Sequence, residues 1–286
     1  MDPLSLVALS AALGGGAGKF VEKAWDSGDR WIQSFYKDHS PKAIAQATRN
    51  SLDFLTELAD RVKLLEEEQI LTKEQIGHAQ DHPDFSVFLQ KALLTSAQSD
   101  SEEKHKILAR LVSERLTSEP ESAFGLASKM ACDTLSYTSV NQMKLLGLAL
   151  NLLSVVPNSV PPEITNEIAY QEYIDRWITN RLKPFQEFSF SNFDLQHIEA
   201  LSLVTTHVGI TVGVNDGTHR LNSRLSKPGF IFEFNNIHDE GLKNAVHQFL
   251  GPVRLDRIYM KTTGQIIGAM ISDLLTGTKT SFDDWK

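Results

Sequence analysis

Along most of the chain, apolar residues recur at three- and four-residue steps, the spacing of amphipathic helices. Ile44, Ala47, Leu52, Leu55, Leu58, Val62 and Leu65 predict one long helix over 41–70. Thr72 with Gln75 three positions on has the form of a capping box and predicts a short helix start. Phe85, Phe88, Leu89, Ala92 and Leu93 form the next stripe. Ser99-Asp100-Ser101-Glu102 predicts a turn and a fresh N-terminus, continued by Ile107, Leu108, Leu111, Val112 and Leu116. Pro120 reads as the start of a helix carrying Phe124, Leu126, Ala127, Met130 and Ala131. The run Met143 to Val156 is almost wholly apolar and predicts the central helix of the body. Ile164, Ile168, Tyr173, Ile174, Trp177 and Ile178 predict another over 163–182. Past Pro184 the pattern changes: Gly209 to Val214 and Phe230 to Phe234 look strand-like, and a helix follows over 239–250. The prolines at 83 and 184 suggest three segments, 1–78, 79–183 and 184–286. The fold class is mostly α, a multi-helix bundle body with a smaller α+β end.

The stretch Pro3 to Gly18 departs from this pattern because it carries no charged residue. Asp2-Pro3 suits a helix start. On a helical projection Leu6, Leu9, Leu13 and Phe20 share a face with Trp31 and Phe35, while Ala8, Ala11, Gly15 and Gly18 lie nearly opposite. Gly14 and Gly18 have the spacing used in membrane helix pairing. Three consecutive glycines in a helix cost roughly 1 kcal/mol each relative to Ala, so they need a reason. A helix over 3–18 would span roughly 24 Å, short of the ~30 Å hydrocarbon core, which argues against a constitutive span. Asp2 also stands where a secretory leader carries positive charge. Three readings stay open. One is a buried helix packing its Gly/Ala face. Another is a helix held against the body and released into a membrane, with Leu6, Leu9, Leu13 and Phe20 facing lipid and Gly14, Gly15 and Gly18 making helix contacts. The third is a phosphate loop, opposed by Leu13 at the first Walker A glycine and Phe20 after the lysine.

Composition narrows the classes. At 286 residues, with 41% hydrophobic and 22% charged content, the chain can bury two cores. A net charge of −8 argues against a general nucleic-acid binder. Cys132 is the only cysteine, so zinc-type cysteine pairs and internal disulfides are excluded, and a reducing cytoplasm is expected. Glu66-Glu67-Glu68 reads as a solvated acidic edge. His78 and His82 are four apart, yet the intervening Ala, Gln and Asp lack the HExxH base. Gly-x-Ser-x-Gly is absent, and the later histidines have no triad-like company in sequence. No catalytic residue, cofactor or metal site is predicted.

Three resemblances bear on function. Met1 to Ala8, the Gly/Ala segment, Lys19-Phe20-Val21 and the stretch Trp25 to Tyr36 resemble the start of HeLo-type cell-death domains. Those are helical bundles whose first helix enters membranes. Asp100, Glu102, Glu103, Lys104 and His105, followed by a Leu/Ala/Arg helix, resemble bacterial abortive-infection proteins. Asp194 to Val204 and Arg257 to Gly268 resemble the helix before the wing and the closing strand-to-helix pattern of winged-helix domains, with a long insertion between them. Together they imply a bacterial cell-death or phage-defence effector, cytoplasmic and conditionally membrane-associated. It would permeabilise the inner membrane as a homo-oligomer, with residues 184–286 meeting a sensor protein. The competing readings are a winged-helix adaptor or transcriptional regulator and an unrecognised nuclease or hydrolase.

Overall fold

The computed structural model describes residues 15–206, 218–251 and 255–282. The chain divides into two compact units, residues 1–140 with 281–286, and residues 141–280. The expected boundaries at 78 and 184 fall inside these units. Twelve α-helices and one two-stranded sheet make up the regular structure of the described residues.

The first unit holds α1 (Gly15–Phe35), α2 (Pro41–Glu67), α3 (Lys73–Asp81), α4 (Pro83–Ala97), α5 (Glu102–Arg115) and α6 (Ala123–Leu135). Local chemistry starts each of the later helices. Ser40 accepts the Ala43 N–H ahead of Pro41, and Ser101 and Ser122 do the same for Lys104 and Gly125. Thr72 and Gln75 form the capping box that their spacing predicts. Pro120 lies in the connecting turn; α6 begins three residues later, where Ser122 supplies the oxygen acceptor that proline lacks.

Helix α2 is the core of this unit and packs against α1, α4 and α5 through Leu52, Leu55, Leu58, Ala59 and Val62, all fully buried. Cys132 is buried in α6, and burial pushes its thiol up to about 12, the opposite of what a nucleophile needs. Phe282 returns to this unit, its ring 5.1 Å from that of Phe124 and stacked under Arg110.

The second unit contains α7 (Val140–Leu153), α8 (Glu167–Leu182), α9 (Asn192–Ala200), α10 (His219–Leu225), α11 (Glu240–Leu250) and α12 (Thr262–Thr276). Its strands β1 (Val204–Thr206) and β2 (Ile258–Met260) pair antiparallel, Val204 opposite Met260. The apolar run at 143–156 becomes α7, buried along nearly its whole length. Helix α12 meets α7 at glycines. A Cβ on Gly268 would lie 2.7 Å from the Leu146 carbonyl oxygen, and Gly147 faces Ile271. The buried Asn151 amide donates to Ser272 at 2.7 Å across the same seam. At the start of α12, Gly264 lies against the Leu203 carbonyl, which also accepts the Lys261 N–H.

The stretch Phe230 to Phe234 is not a strand. Its alternation is real, since Phe232 and Phe234 are buried and Ile231 is exposed. But side chains take the place of a neighbouring strand: Ser226, Gln171 and Asn222 accept the N–H groups of Phe232, Glu233 and Phe234. Period-two patterning reports an extended chain with one face on a core, not a ladder. The strand expected at Gly209 to Val214 lies outside the described residues. A two-stranded ladder among helices does not by itself make a winged helix.

The approach at Gly264 sets a test. Gly264→Ala is expected to destabilise the second unit by about 1–3 kcal/mol, because backbone rather than a flexible side chain must move. Gly277→Ala, at φ 69°, is expected to cost less because only local backbone strain opposes it. Chemical denaturation of the two variants checks the order.

Candidate functional site

The first unit carries two adjoining features, the seat of α1 and a cavity behind it. Helix α1 is seated by small residues. Gly16, Ala17, Gly18, Ala24 and Gly28 are buried, and Leu93 of α4 lies 3.0 Å from where a Gly28 Cβ would be. Among the larger residues, Phe20, Val21 and Ile32 are fully buried, while Phe35 on the same turn as Tyr36 is 53% exposed.

Glu66, in the last turn of α2, holds the start of the helix. Its two carboxylate oxygens accept the Gly16 N–H at 3.1 Å and the Ala17 N–H at 2.8 Å. A carboxylate there satisfies orphan donors and opposes the positive end of the helix dipole. A Cβ at Gly16 would lie 2.5 Å from Glu66 Oε1, the free end of that side chain, so a larger residue there would push the carboxylate aside. The acidic run at 66–68 is therefore more than a solvated edge. Those amides are also the donors that a phosphate loop would offer, and they are occupied.

Helix α3 grips α1 further along. Gln80 donates to the Phe20 carbonyl at 3.4 Å, and Lys23 pairs with Asp81 at the surface. The exposed pair contributes little. The Phe20 ring lies 6.2 Å from that of Phe85, the third residue of α4.

On its other side Phe85 lines a cavity of about 370 Å³. The walls come from α3 (Glu74, Gln75, His78, Ala79), the α3–α4 junction (His82) and the α5–α6 connection (Leu116 to Pro120), with Arg115 from the end of α5. His82 has a structural task, since its Nδ1 accepts the Asp84 N–H and caps α4. Arg115 has a side chain only 3% exposed; it donates to Asp84 at 2.6 Å and to the Ser118 carbonyl. Its Nε is buried with no acceptor among the described residues. Lys129 of α6 pairs with the other oxygen of Asp84, so one carboxylate serves two cations. Burial raises the Asp84 carboxyl, but the hydrogen bonds from Lys129 and Arg115 outweigh it and hold the group below the usual range.

Of the sequence-predicted site residues, Phe20 and Gly18 lie buried in the seat and Gly15 opens α1. Leu6, Leu9, Leu13 and Gly14 lie outside the described residues. The structure adds Glu66, Gln80, Phe85 and Arg115, which are distant in sequence and carry no motif.

In the second unit, His238 has an acidic neighbour that spacing did not reveal. Asp175, nearly buried, accepts from the His238 ring, the His238 N–H and the Thr179 hydroxyl. This fastens the loop before α11 to α8. Among the described residues no group of three or more His, Cys, Asp or Glu is placed to hold a metal, and no helix is long and apolar enough to cross a membrane.

A family model described as ":-like" matches residues 18–250, from within α1 to the last residue of α11. No curated protein and no solved structure matches. These comparisons lend no support to the HeLo-type, abortive-infection-type or winged-helix resemblances.

The lowered Asp84 carboxyl ties stability to pH. A depressed carboxyl stabilises the fold above its unfolded value, and the contribution is lost as pH falls through the folded value. Asp84→Asn is expected to cost about 3 kcal/mol at pH 7, the lower end for a buried pair because Asp84 is partly open. It should also flatten the stability profile below pH 5. Denaturant titrations of both proteins between pH 3 and pH 7 measure this.

Proposed function

The chain belongs to the family matched over residues 18–250, and for it we propose a non-enzymatic role in which α1 is the moving part. In this reading α1 leaves its seat and, together with the uncharged residues ahead of it, enters a membrane. Assembly of several copies would then permeabilise the membrane, the behaviour of a cell-death or phage-defence effector. The observation that carries the reading is the Glu66 contact. The start of α1 is held by two hydrogen bonds to one side chain, so a change at Glu66 would loosen its first turn. The small residues that seat α1 would equally allow close helix–helix packing in lipid. Phe20 and Val21 now fill the protein interior, and they would exchange that environment for hydrocarbon at little net hydrophobic cost.

A second reading has its own observation. The β1–β2 ladder runs directly into α12, the order of a winged-helix closing segment, and favours a partner-binding role for the second unit. Salt-dependent retention of the chain on DNA would favour a regulator instead.

Vesicle leakage tests the first reading. Glu66→Ala is expected to weaken the seat by about 1 kcal/mol, raising the released population about fivefold, and dye release from anionic vesicles should rise with it. Leu9→Glu, or deletion of residues 1–20, should abolish release. Vesicles that stay intact with all variants, or leakage indifferent to Leu9→Glu, would overturn the reading.

A further inference from the structure

We propose that α4 and α6 together present a face on which a second copy of this chain docks about a two-fold axis. The contact supplies the assembly step of the reading above, and its meaning in a membrane rests on that reading.

Four large apolar residues of the first unit are each between 46 and 69% exposed: Val87 of α4, Leu126 and Met130 of α6, and Tyr137 in the turn after α6. Leu126, Met130 and Tyr137 follow one another at helical spacing, and α4 packs beside α6. Single exposed apolar residues are ordinary on a surface, whereas several on neighbouring elements mark a contact.

Two ion pairs show how these residues line up. Asp84 meets Lys129, and further along both helices Lys91 meets Asp133 at 2.8 Å. The helices therefore run in the same direction, with the two pairs as rungs between them. Val87 stands midway between the rungs on α4, and Met130 stands between them on α6. Leu126 lies about one turn before the first rung and Tyr137 one turn past the second.

The signs of the charges choose the occupant. On α4 the acid comes first and the base second, while on α6 the base comes first. Consider a second copy turned by 180° about an axis lying across both helices near Val87 and Met130. Its second rung is set against the first rung of its neighbour. Asp84 then faces Lys91 of the second copy, and Lys129 faces Asp133 of the second copy. In the same register Leu126 meets the second copy's Tyr137, and Val87 and Met130 meet their counterparts near the axis. A surface that complements itself under a two-fold is what an isologous dimer needs. Opposite charges in register suppress other orientations. The contact is small beside the ~20–30 residues a side of a standard interface, so the dimer is expected to be weak and concentration-dependent.

Sedimentation of the full chain over about 1–200 µM, the range in which a weak contact titrates, tests the proposal. A reversible monomer–dimer equilibrium is expected. Met130→Glu should weaken it at least about tenfold by bringing two carboxylates together near the axis. The deciding variant combines Lys91→Asp with Asp133→Lys. It keeps the ion pair within each copy but sets like charges against each other across the axis, so it too should weaken the dimer at least about tenfold. Thermal unfolding of the monomeric variants checks that the fold is intact. A chain that stays monomeric throughout, a dimer indifferent to Met130→Glu, or one indifferent to the double exchange would each overturn the proposal. So would a monomer that dimerises only when residues 1–14 are removed, since the leader would then be the occupant. Vesicle leakage is read separately. A dimer with intact vesicles leaves the contact standing without the membrane reading, and leakage by a chain that never dimerises does the reverse.

Discussion

One carboxylate governs the arrangement of the first unit. A helix that begins at the edge of a bundle exposes backbone donors, and burying them unmet costs more than a bundle of this size can spare. Glu66 meets two of them, and in doing so it fixes where α1 starts relative to the end of α2. The rest of the contact surface follows from that register. Phe20 falls opposite Phe85, Gly28 opposite Leu93, and the Phe20 carbonyl within reach of Gln80. Glycine at position 16 leaves the Glu66 carboxylate room to reach both amides.

The seat of α1 combines buried small residues with the larger Phe20, Val21 and Ile32 and with polar contacts from Glu66 and Gln80. In the second unit α7 and α12 approach closely, Gly268 against the Leu146 carbonyl and Gly147 against the Ile271 side chain, and Asn151 ties the seam to Ser272, with Arg181 and Arg224 donating to the same asparagine.

Much of this architecture was legible in the chain. Helices over 41–70, 163–182 and 239–250 were readable because burial imposes a period, and Thr72 with Gln75 because capping chemistry is local. The reading failed where a nonlocal partner decided the outcome. Phe230 to Phe234 looked like a strand because alternation marks exposure, while hydrogen bonding there is settled by Gln171, Asn222 and Ser226. Glu66 looked like one acid among three, since nothing near it announces the amide pair some fifty residues upstream. The helical projection of the leader placed Phe20 and Gly18 on opposing faces, yet both are buried. Helix α1 is surrounded by α2, α3 and α4, and a helix with three neighbours has no single wet face at its start.

Phe282 packs on Phe124 in the first unit, although all of residues 141–280 intervene. During translation the ribosome must therefore deliver the whole intervening unit before that core is closed, an interval on the order of 10 s at ordinary elongation rates. Through that interval Phe124 faces an incomplete interior, and α1 rests on a nascent scaffold whose last aromatic plug has yet to emerge.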